Sequence, residues 1–171
     1  HPVLGQEEMN QHLSKMLTQE QLDTLKKEKD VDLSWVTPAS RYRVNVHMQR
    51  GMPAIAMRSV KTSIPPLESL NLPPAIAPLA ELPRGLVLVT GDTGSGKSTT
   101  LASLLERMNT TKHRHISTLE DPVEYTFKSD QCLVEQRELG RDMPSFSSGL
   151  KHALRQDPDI ILVGEMRDLE T

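Results

Sequence analysis

The sequence predicts an α/β chain in two parts: a small α+β unit, then a unit built on a parallel sheet. Three observations predict it. Residues 31–60 alternate apolar and polar with a period of two, the mark of strands with one buried face. Residues 63–83 gather Pro65, Pro66, Pro73, Pro74, Pro78 and Pro83, six of the chain's 12 prolines. Beyond them, continuous Val/Ile/Leu runs are interleaved with helix-period segments, as expected where strands are buried on both faces.

The opening stretch, GQEEMNQHLSKMLTQEQLDTLKKEKD, places Met9, Leu13, Met16 and Leu17 on one helical face. Thr18 followed by Gln21 can cap a second helix that carries Leu22 and Leu25. VDLSWV then alternates Val31, Leu33 and Trp35, and RYRVNVHM alternates Tyr42, Val44, Val46 and Met48 against Arg41, Arg43, Asn45 and His47. QRGMP is a turn and AIAMRSV a return strand, which gives a hairpin. Residues 1–62 therefore form the first unit. The proline-punctuated stretch 63–83 reads as a linker, and residues 84–171 form the second unit. Its expected strands are LVLVT, HISTL and IILVG; its expected helices are KSTTLASLLERMN and SFSSGLKHALRQ.

Between LVLVT and the first of those helices lies GDTGSGKS, Gly91 to Ser98, which fits G-x-x-x-x-G-K-[ST]. Glycines let the backbone curl so that successive N–H groups point into one concavity and meet phosphate oxygens. Gly94 and Gly96 let the loop approach without a clashing Cβ. The helix that follows starts at the anion and adds its positive dipole end. Gly91, Asp92, Thr93, Gly94, Ser95, Gly96, Lys97, Ser98 and Thr99 are the expected nucleotide-binding residues. Lys97 is the group that reaches the terminal phosphates, and Ser98 the hydroxyl placed to ligate Mg2+.

Hydrolysis of a bound ATP needs a group that orients and deprotonates water, and a metal clamp on the β/γ oxygens. Two acidic clusters follow expected strands. TLEDPVEY puts Glu120, Asp121 and Glu124 past the carboxyl end of one, where ligands of open α/β sheets sit. GEMRD puts Glu165 after another, where a magnesium- or water-directing carboxylate belongs. Asp121 before Pro122 fits turn chemistry, and Asp159 fits a cap ahead of IILVG. Arg43 and Arg58 lie on the hairpin; a solvated sheet face and a phosphate-neutralising role are both open to them. His113 and His115 have no partner motif and read as ordinary polar residues. Cys132 is the single cysteine, which rules out an intramolecular disulfide and fits a reducing compartment.

The bulk numbers limit the rest. Net charge is −3 and the pI near 6.1, without the basic excess of a nucleic-acid-binding surface. There are only five aromatic residues, one Trp, two Tyr and two Phe, too few for a base-stacking platform. No apolar stretch approaches the roughly 20 residues that span a bilayer, and no basic-then-apolar leader is present. A start at His1 rather than Met, and an end at Thr171 inside an expected helix, suggest a segment of a longer protein.

With these residues in view, the chain resembles the type IV pilus retraction ATPases, the twitching-motility branch of the secretion-superfamily ATPases. The matching blocks are RYRVNVHMQRG, LPRGLVLVTGDTGSGKSTTLASLLE, TLEDPVEY, VEQRELGRD and ALRQDPDIILVGEMRDLET, in that order. The resemblance implies a partial PAS-like N-terminal domain over 1–62 and, over 84–171, the first part of a RecA-like P-loop core. It implies a homo-hexameric ring on the cytoplasmic side of the inner membrane that drives a pilus platform protein with ATP and Mg2+. Residue by residue it implies that Lys97 is the P-loop lysine, Glu124 the acidic-box general base and Glu165 an atypical Walker B glutamate. Arg43 and Arg58 match arginines that approach the nucleotide's phosphates. Asp92 stands where the family usually has proline. The family's histidine box would lie beyond Thr171, so this span alone is expected to hydrolyse ATP poorly. The alternatives are a pilus-extension or type II secretion ATPase of the same superfamily, a nucleic-acid motor on the same core, and an adaptor that binds nucleotide without hydrolysing it.

Overall fold

The computed structural model describes residues 5–38, 40–60 and 63–166. The helix expected to begin around residues 167–171 lies outside them. The chain divides into two compact units, 1–60 and 61–171.

In the first unit, helix α1 (Gln6–Met16) starts where the Glu8 carboxylate accepts the Gly5 N–H at 3.0 Å. Helix α2 (Gln19–Glu28) opens on the capping box read from the sequence: Thr18 Oγ1 accepts from Gln21 N at 3.3 Å, and Gln21 Oε1 accepts from Thr18 N at 2.9 Å. Strands β1 (Asp30–Val36), β2 (Arg41–Gln49) and β3 (Met52–Ser59) form an antiparallel sheet in that order. Arg50 and Gly51 turn the β2–β3 hairpin with φ of 52° and 77°. Positive φ at both central residues is the twist that two-residue hairpins require. Val44 and Val46, fully buried, meet Leu13, Leu17 and Leu25 of the helices. The alternation therefore put the apolar set on the helix-covered face. It leaves Arg43 and Arg58 as direct cross-strand partners on the other face, both exposed.

In the second unit, helix α3 (Lys97–Thr111) is the organising element. Two 3-10 turns, Leu67–Leu70 and Ala77–Glu81, pack on it through Leu67, Ala80 and Leu104. Ser103 Oγ donates to Pro65 O at 2.7 Å, and ion pairs Arg107–Glu68 (2.7 Å) and Lys112–Glu81 (2.6 Å) lie alongside. The proline-rich stretch is thus laid against the helix by its own leucines and alanines.

Strands β4 (His115–Glu120), β5 (Leu133–Glu138) and β6 (Ile160–Val163) form a parallel sheet in the order β5-β4-β6. Helix α3 covers one face, with Leu105 and Met108 against Ile116, Val134, Ile160 and Leu162. Helix α4 (Phe146–Ala153), capped by Ser145, covers the other, with Phe146 and Leu150 against Leu119 and Val163. One strand expectation is corrected. LVLVT joins neither sheet: Leu86 and Leu88 are 82% and 61% exposed. An apolar run has strand propensity, but a strand exists only when a neighbour takes its N–H and C=O groups, and none of the described residues does. In exchange, LVEQRE, whose polar residues hid it among loop signals, is β5.

Candidate functional site

The loop from Gly91 to Gly96 carries three left-handed or Gly-only conformations: φ is 149° at Gly91, 82° at Gly94 and 95° at Gly96. A Cβ on Gly91 would lie 2.8 Å from Ser95 Oγ, so the loop is wound tightly where it leaves the extended chain. Ser95 N donates to Asp92 O at 3.2 Å and closes a turn. Lys97 Nζ donates to both Gly91 O and Asp92 O at 2.8 Å, which holds its ammonium over the loop. No side chain caps α3, since its N-cap is Gly96. The N–H groups of its first turn therefore point into the loop's concavity, an anion-binding arrangement. Asp92, Thr93 and Ser95 are exposed, and Ser98 and Thr99 half-buried at the helix start.

Across from this turn, β4 ends at Glu120 and the chain passes through a cis Asp121–Pro122 bond into residues 123–127. Thr99 Oγ1 and the Tyr125 hydroxyl are 2.9 Å apart, so the acidic loop is tied directly to the first turn of α3. Val123 and Tyr125 are buried while Glu124 between them is exposed. Glu165 follows β6. The intervening Gly164 donates its N–H to Leu119 O at 2.8 Å, and a Cβ there would lie 3.2 Å from that oxygen and 3.4 Å from Glu120 Cα. Glu124 and Glu165 are thereby both carried on chain that leaves the same carboxyl edge of the sheet, through β4 and β6.

Sequence reasoning named Glu120 only as a member of its cluster; the structure gives it a distinct state. It is 8% exposed, and burial pushes its carboxyl pKa up against hydrogen bonds that pull the other way. Thr118 Oγ1 donates to it at 2.6 Å, Gln136 Nε2 at 3.1 Å and the Glu124 N–H at a long 3.4 Å. Glu138, its register partner on β5, is 5% exposed and accepts the Val123 N–H at 3.1 Å. Nothing in the spacing flagged Gln136 or Glu138. No signal in the sequence could have found them, because LVEQRE reads as loop until it pairs with β4.

The remaining candidates resolve simply. Arg43 and Arg58 are register partners on the first unit, and among the described residues their side chains make no hydrogen bond or ion pair. Asp159 caps the entry to the sheet by accepting His115 N (2.8 Å) and Arg114 Nη1 (3.0 Å); the His115 N–H, then Arg114, hold its carboxyl below the usual range. His115 Nε2 lies 3.0 Å from Glu135, and His113 is exposed. Cys132 is buried, its thiol on the carbonyls of Lys112 and Met108 at the end of α3. Among the described residues no three His, Cys, Asp or Glu side chains cluster as a metal cage. The Ser98 hydroxyl and the Glu165 carboxylate are hard-oxygen donors of the type that Mg2+ takes beside substrate phosphates.

The model of the Type II/IV secretion system protein family matches residues 26–171. The chain belongs to that family. It is 50% identical over 143 residues to the type IV pilus retraction ATPase PilT of Pseudomonas aeruginosa, covering 83% of this chain and 42% of that protein. It is 43% identical over 171 residues to the twitching motility protein of Neisseria gonorrhoeae, covering 99% of this chain and 46% of that one. The crystal structure of the pilus retraction motor PilT with bound ADP superposes with a TM-score of 0.92 at 46% identity, over 96% of this chain and 48% of that one. The present chain thus spans less than half the length of these relatives. Among its described residues, no helix of this family member is long and apolar enough to cross a membrane.

Proposed function

We propose that this chain is the nucleotide-binding portion of an ATP-hydrolysing motor that powers type IV pilus retraction. The observation that carries the reading is the 2.9 Å Thr99–Tyr125 contact, which sets a phosphate-binding helix start directly against the loop of an exposed carboxylate. Likeness to a retraction motor known with ADP supports it. So does the match to retraction and twitching relatives over 83% and 99% of the chain, which favours this branch over extension and secretion ATPases.

In this reading residues 1–62 are a partial PAS-like domain, 63–83 connect it, and 84–171 begin a RecA-like core. The first-turn N–H groups of α3 and the Lys97 ammonium bind the phosphates of ATP and orient them. Ser98 and Glu165 would hold Mg2+, which neutralises charge on the β- and γ-oxygens when bound. Glu124 accepts a proton from the attacking water as phosphate separates from ADP. Arg43 and Arg58, register partners on β2 and β3, would supply positive charge to the γ-phosphate as the reaction proceeds. The working form is a homo-hexamer on the cytoplasmic face of the inner membrane, acting on a pilus platform protein.

Glu165→Gln in the full-length protein tests the reading. Turnover should fall to background while calorimetric titration still shows nucleotide binding. Unchanged turnover would remove Glu165 from the reaction, and a parent protein that binds ATP without turning it over would replace the motor with a nucleotide-gated adaptor.

A further inference from the structure

Residues 123–127 are fixed to an unusual degree for a loop that carries an exposed carboxylate. Glu138 accepts the Val123 N–H at 3.1 Å and Glu120 the Glu124 N–H at 3.4 Å. Gln136 Nε2 donates to Tyr125 O and Gln136 Oε1 accepts from Phe127 N, both at 2.9 Å, while a third bond joins Nε2 to Glu120 at 3.1 Å. Val123 and Tyr125, at 2% and 4% exposure, bury the side chains on either side of Glu124. A loop could satisfy these backbone groups with water; here side chains of the neighbouring parallel strand do it instead. The residue types are matched to the task. A carboxamide carries its donor and its acceptor on separate atoms, so one side chain donates to a carbonyl and accepts from a second backbone N–H two residues on. The Glu138 carboxylate needs only an acceptor oxygen toward Val123.

We infer that Gln136 and Glu138, together with Glu120, are positioning residues that hold the backbone of Glu124 and so place its carboxylate for the reaction. The inference rests on the reading of Glu124 as the general base. A base must come within about 2.6–3.2 Å of the proton it takes, and a misplacement of about 1 Å costs on the order of 10²-fold in rate. A glutamate on a mobile loop would spend most of its time outside that range. Here the freedom left to Glu124 is that of its own side chain.

The test uses the full-length, assembled protein and four variants. Q136E is nearly isosteric, but it sets a carboxylate against the Tyr125 carbonyl and the Glu120 carboxylate. E138M removes the acceptor facing Val123, and E138Q keeps one. E124Q removes the proposed base. For Q136E and E138M, kcat should fall about 10- to 100-fold with KM for ATP within about twofold, while E138Q stays close to the parent. Amide hydrogen exchange at residues 123–127 should accelerate by at least about tenfold while α3 keeps its protection. Q136E combined with E124Q should lose little beyond E124Q alone, since the positioning acts through Glu124. The inference falls if Q136E and E138M turn over ATP within about twofold of the parent. It also falls if their loss sits in KM, or if protection drops equally across α3 and β4, which is general destabilisation. E124Q separates the two readings. An active E124Q removes Glu124 as base, whereas an inactive E124Q beside an active Q136E removes only the present inference.

Discussion

The contact between Thr99 and Tyr125 gives a quantitative prediction for communication between the first turn of α3 and the acidic loop. Tyr125→Phe removes one hydroxyl and leaves the buried ring in place, since Tyr125 is 4% exposed. The bond lost toward Thr99 is a neutral O–H···O contact of 2.9 Å. Such bonds contribute about 0.5–1.5 kcal/mol net. Thr99 is half-buried and can turn its hydroxyl to water, which keeps the loss inside that range. If the bond holds the two loops in the reactive arrangement, kcat should fall by about 2- to 13-fold, the same free energy expressed as a rate. Thr99 also sits in the first turn of α3, behind the glycine-rich loop, so its own replacement reports more than this bond. The coupling is therefore measured as a cycle of Y125F, T99V and the double variant, by single-turnover ATP hydrolysis in the full-length protein. A coupling of about 0.5–1.5 kcal/mol is expected. Effects that add to within about 0.3 kcal/mol would refute the idea that this contact links the loops.

Other predictions concern single positions. Gly94→Ala introduces no clash, because nothing lies within 4 Å of the new Cβ, but it forces alanine to φ of 82°. That costs about 1–2 kcal/mol; the free alanine loop relaxes from this conformation and must return to it on binding, so nucleotide titration should show roughly 5- to 30-fold weaker binding, whereas undiminished affinity would mean the strained conformation is kept in the free loop. Arg58→Ala removes one of two like charges placed directly opposite. The first unit should be as stable or more stable by up to about 1 kcal/mol in hydrogen exchange, yet turnover should drop at least about tenfold. Equal losses in nucleotide affinity and turnover would contradict the proposed role. The Glu120 carboxyl has its folded pKa raised above 4.5 by burial. Between 4.5 and the folded value the native state binds more protons than the unfolded one, so this group's contribution to stability declines as pH rises through that window. Glu120→Gln should flatten that slope in urea midpoints taken from about pH 4 to 7, and parallel curves would show that the group does not titrate there.

How much of this was legible in the sequence follows from the range of each interaction. The Thr18–Gln21 capping box, the alternation through Val44 and Val46 and the glycine spacing from Gly91 to Gly96 are local rules, and the structure carries all three. LVLVT and LVEQRE mark where local rules stop. LVLVT has the composition of a central strand and no partner among the described residues. LVEQRE has the polar content of a loop, yet it pairs with β4 from end to end. The packed proline-rich stretch belongs with them, because a run of prolines announces stiffness without saying what it rests on.

By itself the sequence determined where the glycine-rich loop lies, which helix opens at Lys97, and that two carboxylate clusters leave the carboxyl ends of strands. Each of these is written in residues close together along the chain, where backbone conformation and side-chain period act directly. Tertiary structure alone decided that Tyr125 meets Thr99, that Glu120 and Glu138 are buried side by side, and that Gln136 grips the loop of Glu124. Those choices depend on which strand becomes the neighbour of β4. Pairing between distant segments is won by burial and hydrogen-bond satisfaction summed over the whole unit, a sum that no short stretch of residues contains.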